Sequence, residues 1–273
     1  MYTSSSEGTD SAVQLAYAAN RSIGVKALRL LLKHDIRPCL LILPSPDRAS
    51  HTDEIRSLLP GVPVIEGDSL GTRRSLALLS SMQIDYILSV HYPHLFCAEI
   101  LRIPKVGTLN LHPAYLPFNR GWHTPSWAIL EKTPMGATLH WVDEGVDTGD
   151  IALQRQVAVM PEDTADSLYK RTLQQELELL REAVPLLRTR KLPRKPQNGP
   201  GTAHKQRDLE AVRMLDLSAE ERVGTIIDRI RALTTSARGE AAFFVVDGRR
   251  YIVRVEISED GTEQQTNRGG QCD

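Results

Sequence analysis

The sequence is poor in most features that would assign it to a specialised class. Cysteine is scarce: Cys39, Cys97 and Cys272 are far apart and show no metal-ligand spacing. Neither a disulfide framework nor a metal centre is expected, and a reduced, cytoplasmic protein is. No apolar run reaches the roughly 20 residues that a membrane-spanning helix needs, so no membrane partner is expected. The first ten residues lack the basic and apolar regions of a secretory leader and read as a frayed tail. No charge of one sign dominates: 33 Lys and Arg face 34 Asp and Glu, a net charge of −1. That balance gives no basic face for nucleic acid. Internal repeats and low-complexity tracts are absent. So is a dinucleotide fingerprint, because Ala18-Ala19-Asn20-Arg21-Ser22-Ile23-Gly24 offers a single glycine, which argues against a nicotinamide cofactor.

What is present is an ordinary globular composition over 273 residues, 41% hydrophobic and 25% charged, enough for one enzyme domain and an appendage. Val13 to Ala18, Cys39 to Leu43, Val62 to Glu66, Tyr86 to Val90 and Thr108 to Leu111 read as strands. Continuous apolar runs such as CLLIL fit parallel strands covered on both faces. Between them, Ile23 to Leu32, Asp53 to Leu59 (with Thr52 as N-cap) and Arg73 to Ser81 read as helices. Strands alternating with helices predict an α/β fold, a Rossmann-like, doubly wound, mostly parallel sheet. Thr124 to Leu130 reads as a further helix, and Ala137 to Val142 and Gln154 to Val159 as strands. A long amphipathic helix starts at Asp163 or Thr164 and carries Leu168, Leu173, Leu177, Leu180 and Val184 on one face.

Composition then shifts. Lys191 to Thr202 (KLPRKPQNGPGT) reads as a linker. Beyond it, Ser218 to Leu233 reads as a helix with a Ser218–Glu221 capping box. Ala242 to Ile257 reads as a hairpin turning at Asp247-Gly248. The expected organisation is a catalytic domain over 1–190, a linker over 191–203, a small helix-and-hairpin subdomain over 204–258 and a disordered tail over 259–273. The FFVV edge of the hairpin suggests pairing across a two-fold axis, hence a homodimer.

The chemistry concentrates in Gly107 to Ile151. Asn110 and His112 stand two apart at a strand end, so both side chains point to one face. An amide donor and an imidazole there can polarise a carbonyl and move a proton. Downstream, Asp143, Glu144, Asp147 and Asp150 crowd one turn-rich segment with Gly145 and Gly149. A carboxylate in that turn can orient an imidazole or a water. Residue types alone leave a structural histidine and a solvated acidic turn as alternatives.

The pieces Asn110-Leu111-His112-Pro113, Leu116-Pro117, Arg120-Gly121 and Asp147-Thr148-Gly149-Asp150-Ile151, in this order and spacing, resemble the catalytic core of the folate-dependent formyltransferases. That group contains glycinamide ribonucleotide, methionyl-tRNA and sugar N-formyltransferases. The resemblance implies Asn110, His112 and Asp147 as the catalytic set and 10-formyltetrahydrofolate as the donor. It implies a pterin slot at the segment after the fourth strand, with Ser89, Tyr92, His94 and Leu95, and with Asp143 and Glu144 facing it. The Tyr115-Leu116-Pro117-Phe118-Asn119-Arg120-Gly121 loop and the His204 to Leu209 segment are similar to the nucleotide-sugar branch. The implied acceptor is therefore a nucleotide-linked amino-deoxy sugar. Tyr115, Arg120, Trp122, His123, Trp127, Lys205 and Arg207 are its candidate contacts, with Arg231 a further cation. Transfer to methionyl-tRNA or another small amine, hydrolysis of the folate donor, and a non-catalytic binding role stand as alternatives. The division of labour between His112 and Asp147 stays open.

Overall fold

The computed structural model describes residues 12–260. β1 (Leu15–Ala19) leads into α1 (Arg21–Lys33), β2 (Leu40–Leu43), α2 (Thr52–Leu58), β3 (Val64–Glu66), α3 (Arg73–Ser81) and β4 (Tyr86–Val90). A single turn, α4 (Ala98–Leu101), precedes β5 (Gly107–His112) and the two-residue β6 (Arg120–Gly121). α5 (Thr124–Glu131), β7 (Met135–Trp141), β8 (Ile151–Val157) and the long α6 (Ala165–Thr189) follow. The chain closes with β9 (Ala203–His204), α7 (Glu210–Arg213), α8 (Val223–Ala232), β10 (Ala242–Val246) and β11 (Arg249–Val253).

Seven strands form one sheet in the order β3-β2-β1-β4-β5-β7-β8. β3, β2, β1, β4 and β5 run parallel, and β7 and β8 return antiparallel. This is the expected mostly parallel, doubly wound sheet. Every residue of β1, β2 and β4 is buried, as strands covered on both faces must be. On one face Leu15, Tyr17, Leu41, Leu43 and Leu88 pack with α1 and α6. On the other, Ala16, Ala18, Leu40, Ile42 and Ile87 pack with α3 and with Tyr92 and Phe96. The chain builds outward from β1 in one direction as far as β3, then resumes beside β1 at β4. Such a reversal opens a crevice at the carboxyl ends of the strands.

Thr164 caps α6 as expected, through a reciprocal pair with Ser167. Two other helix starts differ from expectation. His51, not Thr52, is the N-cap of α2, in a left-handed conformation (φ 61°). Asn20 explains it: its amide clamps the preceding loop through Arg48 O and Ser50 N, at 2.9 and 2.8 Å, so the chain enters the helix a residue early. α8 starts at Val223 rather than at Ser218, because Ser218 N–H and Oγ both bond Asp216 Oδ1, at 2.9 and 2.7 Å. Local bonds of this kind compete with helix formation. Glu221 likewise pairs with Arg229 instead of closing a capping box.

The hairpin turns where expected, with Asp247 (φ 49°) and Gly248 (φ 73°) both left-handed, as a type I′ turn requires. Residues 191–203 do not hang free. Lys195 and Ile151 exchange backbone bonds at 2.8 and 3.0 Å, and Arg194 lies over the Trp141 ring at 3.6 Å. Trp127, Leu209, Leu233 and Ala242 then form one apolar cluster, so the C-terminal elements share a core with α5. No helix among the described residues is long and apolar enough to cross a membrane. The expected frayed start (1–10) and the 261–273 part of the expected tail lie outside the described residues.

Candidate active site

β4 and β5 end side by side, with Ser89 opposite Asn110 and Val90 opposite Leu111. On the other side of β5, Asn110 faces His140 and His112 faces Thr138 of β7. A cleft of about 570 Å³ opens over these strand ends. Asn110, His112, His140 and Asp147 all line it.

Asp147 is the hub. It sits in a left-handed conformation (φ 53°) in the turn between β7 and β8. Gly149 lets that turn close, since a Cβ there would meet Trp141 O at 2.0 Å. Asp147 Oδ2 accepts the Gly121 N–H at 2.9 Å and lies 3.5 Å from His112 Nε2. Its Oδ1 lies 3.4 Å from His140 Nε2 and accepts from Asn110 Nδ2 at 3.5 Å. Gln197 Nε2 donates to the Asp147 and Gly149 carbonyls at 2.9 and 2.8 Å, fixing the turn from outside the cleft.

The proton positions follow from the partners. His140 Nδ1 faces the Trp141 carbonyl at 2.8 Å, an acceptor only, so Nδ1 carries the proton. In the neutral ring Nε2 is then a lone pair, and it accepts from Asn110 Nδ2 at 3.2 Å. Both neighbours of that Asn110 edge are acceptors, which sets the amide with its N–H groups toward Asp147 and the cleft. His112 Nε2 faces two acceptors, Asp147 Oδ2 and Asn119 O, each at 3.5 Å, so it carries the proton. Among the described residues Nδ1 of His112 has no partner, and its lone pair is left to the cleft.

Burial pushes the His112 imidazole down; Asp147 opposes this, His140 adds to it, and the ring is held below its ordinary value. Burial alone would raise the Asp147 carboxyl, but His112 and the Gly121 N–H hold it well below the usual carboxylate range. The resting pair is a neutral imidazole beside an ionised carboxylate.

The cleft has two walls. One comes from the sheet face that carries α3: Tyr92 and Phe96, stacked at 5.5 Å, with His94, Leu95 and Val142. Asp143 and Glu144 continue it, and Ser89 lies at its base. The other comes from the α1 and α6 layer and the C-terminal elements: Arg21, Tyr169, Ser236 and Glu240, with Trp122 and His123. His123 Nε2 bonds Gln206 O at 3.2 Å, while Nδ1 is 3.5 Å from Glu240. That contact outweighs burial and lowers the Glu240 carboxyl.

Six sequence candidates lie outside the cleft. Trp127 is core, 8% exposed and stacked on His204 at 3.8 Å, as an aromatic at helical spacing usually is. Arg120 is used internally, bonding Gln197 Oε1 at 3.2 and 2.7 Å and Pro200 O at 3.3 Å. The Tyr115 ring packs over Gly136 of β7. Lys205 and Arg207 are exposed on the turn before α7. Arg231 is also structural, donating to Met160 O and Asp163 O at 3.0 Å. Conversely, Arg21, His140, Tyr169 and Glu240 were not singled out from sequence. The one available signal was strand alternation in Ala137 to Val142, which puts His140 on the same sheet face as Thr138.

Comparison with known proteins fits this geometry. A family model described as formyl transferase matches residues 40–184, and an N-formyltransferase dimerization C-terminal domain matches residues 208–259. The dTDP-4-amino-4,6-dideoxyglucose formyltransferase of Mycobacterium tuberculosis is 32% identical over 176 residues, 64% of this chain and 74% of its own. A sugar N-formyltransferase of a Shewanella species shares the fold, with a TM-score of 0.78 over 90% of this chain and 98% of that one at 22% identity. A formyltransferase of Anoxybacillus kamchatkensis was solved with UDP-4,6-dideoxy-4-formamido-L-AltNAc and tetrahydrofolate. It is 32% identical, with a TM-score of 0.51, covering 63% of this chain and 88% of that one.

Proposed function

The chain belongs to the formyl transferase family, and on that premise we propose that it moves the formyl group of 10-formyltetrahydrofolate onto the amine of a nucleotide-linked amino-dideoxy sugar. The reading rests above all on one observation: a single carboxylate, Asp147, meets His112, His140 and Asn110 within 3.5 Å at the cleft floor.

The donor suits the wall of Tyr92, Leu95 and Phe96. Its stacked rings and apolar faces match a flat fused heterocycle, and Ser89, His94, Asp143 and Glu144 supply polar atoms at its edges. When bound, the folate supplies an activated formyl carbon. As the acceptor amine adds to it, negative charge collects on the formyl oxygen. The Nδ2 amino group of Asn110, held at the cleft floor by His140 at 3.2 Å and more loosely by Asp147 at 3.5 Å, turns an N–H to that charge. The attacking nitrogen must lose a proton, and His112 Nδ1 takes it. Asp147 stabilises the resulting imidazolium through Nε2–H. The same proton is available to the departing folate nitrogen.

The acceptor enters along the opposite wall, at Trp122 and His123. The chain works as a cytoplasmic enzyme with Cys39 and Cys97 as free thiols. It pairs into a homodimer through the C-terminal hairpin, where Val245, Val246, Tyr251 and Ile252 are exposed.

The test offers 10-formyltetrahydrofolate with dTDP- and UDP-linked amino-dideoxy sugars, and in parallel with charged initiator tRNA. Formylated sugar is expected, with turnover lowered by about 10²–10³ in Asn110→Ala and His112→Ala. Transfer to the tRNA alone, or formate release without acceptor, would overturn the reading.

A further inference from the structure

The cleft carries a marked charge asymmetry. Its lining includes five carboxylates, Asp143, Glu144, Asp147, Asp166 and Glu240, but among the described residues Arg21 is the one arginine or lysine. The two carboxylates on its own wall are already engaged. Asp166 accepts the Ser236 N–H at 2.8 Å, and Glu240 faces His123 at 3.5 Å. Among the described residues no carboxylate lies within ion-pair distance of the Arg21 guanidinium, whose hydrogen bond is to the Tyr169 hydroxyl at 3.5 Å.

The surroundings of that contact are built rather than incidental. Arg21 holds a left-handed backbone (φ 62°), a conformation that favours glycine. It is fixed there because its N–H bonds Ser50 O at 2.9 Å and the neighbouring Asn20 amide clamps the same loop. Tyr169 is fixed from behind. Its hydroxyl lies 3.2 Å from His91 Nδ1, and His91 Nε2 meets both oxygens of Glu176 at 3.0 and 2.9 Å. Glu176 is fully buried. A carboxylate is costly in such a place unless hydrogen-bonded and paired, so the chain holds it against a real penalty. The catalytic set does not use this pair. Its reach into the cleft is His91 and, through His91, the Tyr169 hydroxyl.

We propose that Arg21 and Tyr169 form the subsite for the diphosphate of the acceptor, with His91 and Glu176 as positioning residues behind Tyr169. The proposal rests on the nucleotide-sugar reading above. A diphosphate needs a fixed positive charge and hydrogen-bond donors, and the Arg21 guanidinium supplies both, steadied by the Tyr169 hydroxyl, which accepts from it at 3.5 Å while facing His91 Nδ1. The place is also right: β1 and β7 lie on opposite sides of the β4–β5 pair, so the subsite and Asp147 approach the floor from opposite sides. It stands on the wall across from Tyr92 and Phe96, which leaves the catalytic groups between donor and diphosphate.

Calorimetry with dTDP and UDP alone, on the full chain, reads the subsite without catalysis. Arg21→Met, which keeps the apolar stem, should weaken either nucleotide about tenfold to a hundredfold, the size of one lost charge-assisted contact. Arg21→Lys should recover part of it. Tyr169→Phe should weaken both nucleotides by a smaller factor, and His91→Gln should do so only while Tyr169 is present. In turnover, Arg21→Met should raise KM for the nucleotide sugar by the same factor, with KM for the folate unchanged. With the phosphate-free amino sugar as acceptor, wild type and Arg21→Met should have equal kcat/KM. Diphosphate affinity unaltered in Arg21→Met, or an equal loss with the phosphate-free sugar, overturns the subsite. A wild type that formylates nucleotide sugars but binds neither nucleotide overturns it while sparing the proposed function. A wild type that does neither removes both.

Discussion

The backbone N–H of Gly121 donates to Asp147 Oδ2 at 2.9 Å. Gly121 belongs to β6, which pairs in parallel with β9, so the start of the C-terminal segment is tied to the Asp147 carboxylate through β6 and one hydrogen bond. The position needs glycine twice over. Its φ is 87°, and a Cβ would meet His204 O at 2.3 Å. Gly121→Ala should therefore push β9 away and release Asp147. We expect turnover to fall at least tenfold with modest loss of melting temperature. Unchanged turnover would show that Asp147 holds its place without β6.

The charge state of His112 sets a pH dependence. Burial keeps the ring neutral below its ordinary pKa of about 6.5, and Asp147 is the group that pulls it back up. Activity that needs the neutral ring should persist below that pH and be lost as pH falls through the depressed value. Asp147→Asn removes the opposing charge, so the His112 pKa should drop further even as turnover falls. An NMR titration of the His112 ring in both proteins measures this directly. An upward shift in the variant would contradict the sign.

His140 orients Asn110 without belonging to the expected catalytic set. Its Nδ1–H is committed to Trp141 O, and its Nε2 accepts from Asn110. His140→Ala leaves the Asn110 amide free to rotate. Turnover should fall about a hundredfold, the scale of one oxyanion donor, while both KM values change little. His140→Gln, with an amide oxygen able to accept from Asn110, should recover part of the rate. Equal rates for the two variants would assign His140 a packing role instead.

The sheet was legible in the sequence because its strands are buried on both faces, and continuous runs such as Leu40 to Leu43 leave little ambiguity. Asn110, His112 and Asp147 were legible because they stand in compact pieces around strand ends. The acceptor wall was not. Arg21, Tyr169 and Glu240 are separated by as many as 219 positions and meet only through packing of α1, α6 and the segment before β10. Arg120 and Arg231 looked like phosphate ligands from their charge alone, but the backbone carbonyls that occupy them are invisible in a sequence. The starts of α2 and α8 were missed for the same reason: Asn20 and Asp216 capture backbone groups that a local pattern assigns to the helix.

Arg120 gives a direct contrast with Arg21. Its guanidinium holds Gln197, which in turn holds the Asp147 turn. Arg120→Ala should cost about 1 kcal/mol of stability, with nucleotide affinity unchanged by calorimetry. A loss of diphosphate binding in this variant would move the anion site away from the cleft described above.

The C-terminal hairpin carries a testable surface. Val245 and Val246 of β10 and Tyr251 and Ile252 of β11 are 47%, 39%, 44% and 42% exposed. Single exposed apolar residues are common, but a cluster on a two-stranded ribbon is not expected to face water unpartnered. The turn at Asp247-Gly248 fixes the register, which puts Val245 and Ile252 on one face of the ribbon and Val246 and Tyr251 on the other, where Phe244 stacks on Tyr251 at 5.3 Å. If two copies meet through the face of Val245 and Ile252, charges placed on that face meet their symmetry mates and repel. Val245→Glu combined with Ile252→Glu should convert a dimer into a monomer in sedimentation velocity at micromolar concentration. The cleft lies on other elements, and its lining ends at Glu240, two residues before β10. Formyl transfer by the monomer should therefore persist. A double variant that stays dimeric would place the interface elsewhere, and a wild type that already sediments as a monomer would overturn the dimer itself.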